Sequence, residues 1–125
     1  MINCLCFGDS ITYGEYDGIS GGWTEILKRY FHFRFINENI EELNVFNLGI
    51  GGETTNGLVK RFSTEAAART SPDQNLIFFA YGANDVALKE GYRMVESEKL
   101  KANLQEVIEK AKKITSYLYI ISILP

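Results

Sequence analysis

Ile2-Asn3-Cys4-Leu5-Cys6-Phe7-Gly8-Asp9-Ser10 begins a chain of 125 residues with an apolar run that stops at glycine. Six residues are too few for a buried helix, and a short apolar run closed by a turn residue reads as a buried parallel strand. Working outward, Leu43 to Leu48 repeats the pattern before Gly49, Gly51 and Gly52. Asn75 to Tyr81 repeats it before Gly82, and Tyr117 to Ile123 forms a fourth run.

Helical spacing fills the intervals. Trp23, Ile26, Leu27, Tyr30 and Phe31 predict a helix from Gly22 to about Arg34. Leu58, Val59, Phe62 and Ala66 predict a second, capped by Thr54 or Thr55 and ending before Pro72. Leu100, Leu104, Val107, Ile108, Ala111 and Ile114 predict a third, with Lys and Glu on its outer face. Strand and helix alternate without repeat or linker, so the fold class is α/β: a parallel sheet with helices on both faces, joined by right-handed connections. At this length the chain is one domain, 1–125.

Composition removes several function classes. Thirteen basic and sixteen acidic residues give a net charge of −3 with no basic stripe, so nucleic acid is not an expected partner. No apolar stretch approaches the roughly 20 residues that span a bilayer, and strand-like sequence starts at Ile2 without a leader pattern, so a cytoplasmic location is expected. Cys4 and Cys6 point to the same face of one strand, a poor geometry for a disulfide. With one histidine in the chain and no other cysteine they have no second metal half-site. They are expected as small buried hydrophobes, and neither a metal nor any other cofactor is expected.

In a parallel sheet ligands bind at the carboxyl ends of the strands, where all three glycine-bearing motifs fall. Ser10 follows the first strand at a tight turn, suited to present a hydroxyl to a carbonyl; a serine there also suits a turn cap or a phosphate site. Acyl transfer further needs donors aimed at the oxygen that becomes negative. Gly52 lets a backbone N–H approach closely, and Asn84 offers a side-chain amide, although singly each is also an ordinary turn residue. Asp9 forms the turn beside Ser10, and Asp9, Tyr13 and Gly51 are the candidate substrate contacts. Tyr13, Tyr16 and Ile19, with Leu88, Tyr92 and Met94 of the loop from Val86 to Val95, flank the expected site. They serve either as walls of an acyl or sugar pocket or as aromatics packed on helix ends.

Gly8-Asp9-Ser10, Asn47-Leu48-Gly49-Ile50-Gly51-Gly52-Glu53-Thr54 and Gly82-Ala83-Asn84-Asp85 resemble, in order and spacing, the first three sequence blocks of the SGNH, or GDSL-type, esterase and lipase superfamily. The likeness extends to Gly22-Trp23 and Arg61. It implies a three-layer, flavodoxin-like sheet and Ser10 as nucleophile, with the Ser10 amide, Gly52 and Asn84 as the oxyanion hole. It also implies hydrolysis of small carboxylic esters, thioesters or acetylated sugars without a metal. Ile11 stands where the family name has leucine, a volume-conserving exchange.

One implied block has no counterpart. The aspartate followed three residues later by a histidine, which in the family deprotonates the serine, is absent, so the carboxy-terminal part of the domain is expected to be missing from these 125 residues. His32 does not replace it. It lies nine positions after Trp23, about 180° around the predicted helix, and roughly 15 Å along it from the active edge. A chain ending after the fourth strand is expected to leave an apolar edge for a second chain or a missing segment to cover. The competing expectations are a non-catalytic acyl- or carbohydrate-binding module and an assembly partner with the same fold.

Overall fold

The computed structural model describes residues 1–122. Four parallel strands, β1 (Ile2–Gly8), β2 (Leu43–Gly49), β3 (Gln74–Ala80) and β6 (Tyr117–Ile120), form a sheet in the order β2-β1-β3-β6. The first apolar run therefore becomes an interior strand, paired Cys4 to Val45 on one side and to Leu76 on the other. The register also aligns the strand ends. Gly8 pairs with Gly49 and with Ala80, so the three motifs leave the sheet at one level.

The two sheet faces are covered unequally. On one, Leu5, Phe7, Ile77 and Phe79 pack beneath α3 (Thr55–Arg69) and α5 (Ser97–Lys112), which contribute Leu58, Phe62, Ala66, Val107 and Ala111. On the other, Cys4, Cys6, Leu43 and Val45 lie under α2 (Trp23–Glu38), which contributes Trp23, Leu27 and Phe31. Cys4 and Cys6 are buried free thiols, Sγ to Sγ 3.6 Å, as their shared face requires.

Several boundaries differ from the sequence reading. Helix α2 runs on to Glu38, because Arg34 pairs with Glu38 one turn on and Asn37 bonds the Phe33 carbonyl, polar contacts invisible to an apolar pattern. It stops where Asn39 turns left-handed at φ 53°. The tight turn expected at Ser10 is a helical turn, α1 (Ser10–Tyr13), and another, α4 (Ala83–Val86), follows Gly82. A small hairpin, β4 (Leu88–Lys89) with β5 (Tyr92–Arg93), interrupts the later loop. Thr54 is the N-cap of α3, yet its side chain makes no capping bond there.

β6 is an edge strand among the described residues. Its ladder with β3 continues past Ile120 through the Ile121 N–H, 2.9 Å from the Phe79 carbonyl, and Tyr119 stacks on Phe78 at 4.9 Å. Tyr117, Tyr119, Ile120 and Ile121 are all exposed. The expected continuation through Ile123 lies outside the described residues.

Candidate active site

Asp9 caps α1: its carboxylate, almost fully buried, accepts the Ile11 N–H at 3.0 Å, and its carbonyl accepts the Tyr13 N–H at 2.9 Å. It is the turn-former the sequence suggests, and it fixes Ser10 as the first residue of the helical turn, half-buried at the carboxyl end of β1.

After β2, the Glu53 N–H bonds the Ile50 carbonyl at 3.2 Å, closing a turn with Gly51 and Gly52 in the middle. Gly52 has φ 73°, a left-handed conformation that a side chain would strain, and a Cβ there would meet no atom within 4 Å. Gly51 is exposed and faces the Glu15 carboxylate, 3.3 Å from where a Cβ would stand. Neither the Ser10 N–H nor the Gly52 N–H meets an acceptor among the described residues.

Asn84, in α4, completes the group. Its Nδ2 donates to the Glu53 carbonyl at 3.0 Å and lies 3.5 Å from Asp9 Oδ2, the latter too long for a strong bond. The side chain is thus not the self-bonded turn asparagine of the alternative reading. One amide group touches the turn before Ser10 and the turn after Gly52, so the three motifs converge at one edge of the sheet.

Two polar clusters support this edge. Asp85 is fully buried and accepts from Thr55 through both N–H and hydroxyl, while Asn103 of α5 donates to that hydroxyl at 3.0 Å. The cap sought at Thr54 or Thr55 is supplied from α4 instead. Glu53, Arg61 and Tyr81 form the second cluster, with Arg61 reaching the Leu48 carbonyl at 2.6 Å as well. Burial, with the hydrogen bond to Glu53, pushes the Tyr81 phenol far above its usual range, so it is a donor throughout the physiological range.

The loop aromatics do not line the groove beside Asp9. Tyr16 and Ile19 are 97% and 94% exposed, and Leu88 and Tyr92 also face outward. Tyr13 is exposed, and its carbonyl accepts from the Asn47 side-chain amide at 3.1 Å. A groove of about 510 Å³ opens instead beside Asp9, lined by Ile11, Trp23, Ala80, Ala83, Val86 and Ile121 among others. Sequence reasoning passed over Ile11 and Val86, although each directly neighbours a site motif. His32 sits with Leu43 and Asn44 at the start of β2, the opposite edge from Ser10. Among the described residues no cluster of His, Cys, Asp or Glu is arranged to hold a metal ion, and no helix is long and apolar enough to cross a membrane.

The sequence matches the GDSL-like Lipase/Acylhydrolase family over residues 6–125. It is 31% identical over 116 residues to the uncharacterized lipoprotein YqeF of Bacillus subtilis (strain 168), covering 87% of this chain and 43% of that protein. The fold superimposes on the lipase/acylhydrolase from Enterococcus faecalis with a TM-score of 0.72 at 26% identity, covering 96% of this chain and 56% of that one. AlinE4, an SGNH-hydrolase family esterase, shares the fold with a TM-score of 0.71 at 20% identity, covering 97% and 58%. The chain thus spans about half the length of the relatives it matches.

Proposed function

We propose, from the premise that this chain belongs to the GDSL-like lipase/acylhydrolase family, that it carries the nucleophilic half of a serine ester hydrolase. The observation that carries the reading is the Asn84 side chain, 3.0 Å from the Glu53 carbonyl and 3.5 Å from the Asp9 carboxylate. It joins three motifs that ester cleavage would use together.

In this reading Ser10 Oγ attacks the carbonyl carbon of the substrate and forms an acyl-enzyme as the alcohol or thiol leaves. The oxygen that becomes negative is received by the Ser10 N–H, the Gly52 N–H and the Asn84 amide. The two backbone donors have no acceptor to give up among the described residues, so little reorganisation is needed as charge develops. Water then releases the acid and restores Ser10.

The proton of Ser10 needs a base. His32 is the sole histidine of the sequence and lies at the far edge of the sheet. The Asp9 carboxylate accepts the Ile11 N–H at 3.0 Å and lies 3.5 Å from the Asn84 amide, so it serves the turn and is not assigned the task. The base is therefore proposed to come from the portion of the relatives' length that this chain does not span. The apolar groove beside Asp9 suits the acyl part of a small carboxylic ester or thioester, or the acetyl group of an acetylated sugar.

Steady-state hydrolysis of p-nitrophenyl acetate by the complete protein and its Ser10→Ala variant tests this. Loss of on the order of 10⁴-fold or more in kcat with the fold retained is expected. Equal turnover by both would remove Ser10 from the chemistry.

A further inference from the structure

The buried cluster of Glu53, Arg61 and Tyr81 lies outside the proposed chemistry but joins the two strand ends that supply it. Glu53 directly follows Gly52, and Tyr81 stands three residues before Asn84. Arg61 Nε lies 2.9 Å and 3.0 Å from the two Glu53 carboxylate oxygens, and its Nη2 donates to the Tyr81 hydroxyl at 2.8 Å. The Tyr81 hydroxyl donates in turn to Glu53 Oε1 at 2.5 Å. Side chains of Arg61 and Glu53 are only 14% and 10% exposed, and the guanidinium lies over the Phe7 ring at 5.5 Å.

An ion pair this buried is a poor source of net stability compared with apolar packing, because both charges lose most of their water. Its geometry points to another use. The residue whose carboxylate is clamped is the one whose carbonyl accepts the Asn84 amide. Arg61 also ties this clamp to the end of β2 through the Leu48 carbonyl.

The first turn of α3 makes room for the clamp. Gly57 occupies a helical position where glycine costs about 1 kcal/mol relative to alanine. A Cβ at residue 57 would stand 2.7 Å from Glu53 Cγ, so any larger residue would push the Glu53 side chain away from Arg61.

We infer that Glu53, Arg61 and Tyr81 are positioning residues that hold the Gly52 N–H and the Asn84 amide at a fixed separation, an inference that rests on the oxyanion role proposed above. Tyr81 fixes the β3 end and Glu53 the β2 end, with Arg61 bridging them. Slackening any member lets the Asn84 amide drift from the Gly52 turn, and misplacement by about 1 Å at a catalytic group can cost about a hundredfold in rate.

The test uses the complete protein, uniformly ¹⁵N-labelled, with Tyr81→Phe, Arg61→Lys and a control, Tyr119→Phe, on the exposed edge strand. Both cluster variants are expected to shift the Asn84 side-chain amide resonances and to lower kcat on p-nitrophenyl acetate about ten- to a hundredfold, with KM within about twofold. The control is expected to leave both unchanged. Should Tyr81→Phe not fold, Arg61→Lys, which keeps the charge and loses the two-pronged contact, carries the same readouts. An Asn84 resonance and a kcat that stay put in the folded variants, even alongside a lower melting temperature, would overturn the inference by making the cluster merely structural. If the Asn84 resonance moves but hydrolysis does not depend on Ser10, the positioning stands and the proposed chemistry fails.

Discussion

The two carboxylate oxygens of Asp85 lie 3.1 Å and 3.2 Å from the backbone nitrogen of Thr55, and one of them lies 2.5 Å from the Thr55 hydroxyl. A side chain in α4 thereby satisfies the free amide at the start of α3, thirty residues earlier in the chain. Asp85→Ala would leave a buried N–H and hydroxyl without their acceptor, each costing about 1–3 kcal/mol. We expect a loss of about 3 kcal/mol in denaturant unfolding, with a smaller loss for Asp85→Asn, which keeps one acceptor. A change below about 1 kcal/mol would show that the contact contributes little.

Asp17 gives a prediction in pH. Its exposed carboxylate accepts the N–H groups of Ser20 at 2.8 Å, Gly22 at 3.1 Å and Ile19 at 3.2 Å, and these bonds, Ser20 foremost, hold it below its ordinary value of 3.8. A carboxyl with a lowered folded-state pKa contributes stability that is full above the unfolded value and fades as pH falls through the folded one. The melting temperature of wild type should therefore exceed that of Asp17→Ala by a constant margin down to about pH 4, and the margin should close at lower pH. A margin unchanged down to pH 2 would mean that the loop before α2 does not depend on that charge.

Much of this architecture was legible because the apolar runs of β1, β2 and β3 are short and are closed by Gly8, Gly49 and Gly82, and the α5 pattern is regular. The site motifs were legible because each follows one of those runs directly. Polar support was not. The Asp85–Thr55 contact and the bonds of Tyr81 to Arg61 and Glu53 join residues 30, 20 and 28 positions apart, and no local pattern reports which side chain meets which. The end of α2 was misjudged for a related reason, since Arg34, Asn37 and Glu38 extend it by polar contacts alone. The choice between the two roles open to the loop aromatics was not legible, because the exposure of Tyr16 and Tyr92 depends on loop paths that composition does not encode.

Asn84 and His32 should behave oppositely in the complete protein. Removing one oxyanion donor by Asn84→Ala is expected to lower kcat about 10²- to 10³-fold with the fold intact. His32→Ala should leave kcat unchanged, since His32 lies at the amino end of β2, where the cleft it lines includes Leu43 and Asn44. Steady-state kinetics of both variants on p-nitrophenyl acetate check the pair. A large loss with His32→Ala would relocate the base.

Fluorophosphonate labelling of the complete protein, read by mass spectrometry of the modified peptide, bears most directly on Ser10 as the nucleophile. The expected result is a single phosphonyl group on Ser10, absent from Ser10→Ala and slowed in Asn84→Ala. Labelling at another residue, or none at all in a protein that hydrolyses esters, would contradict it.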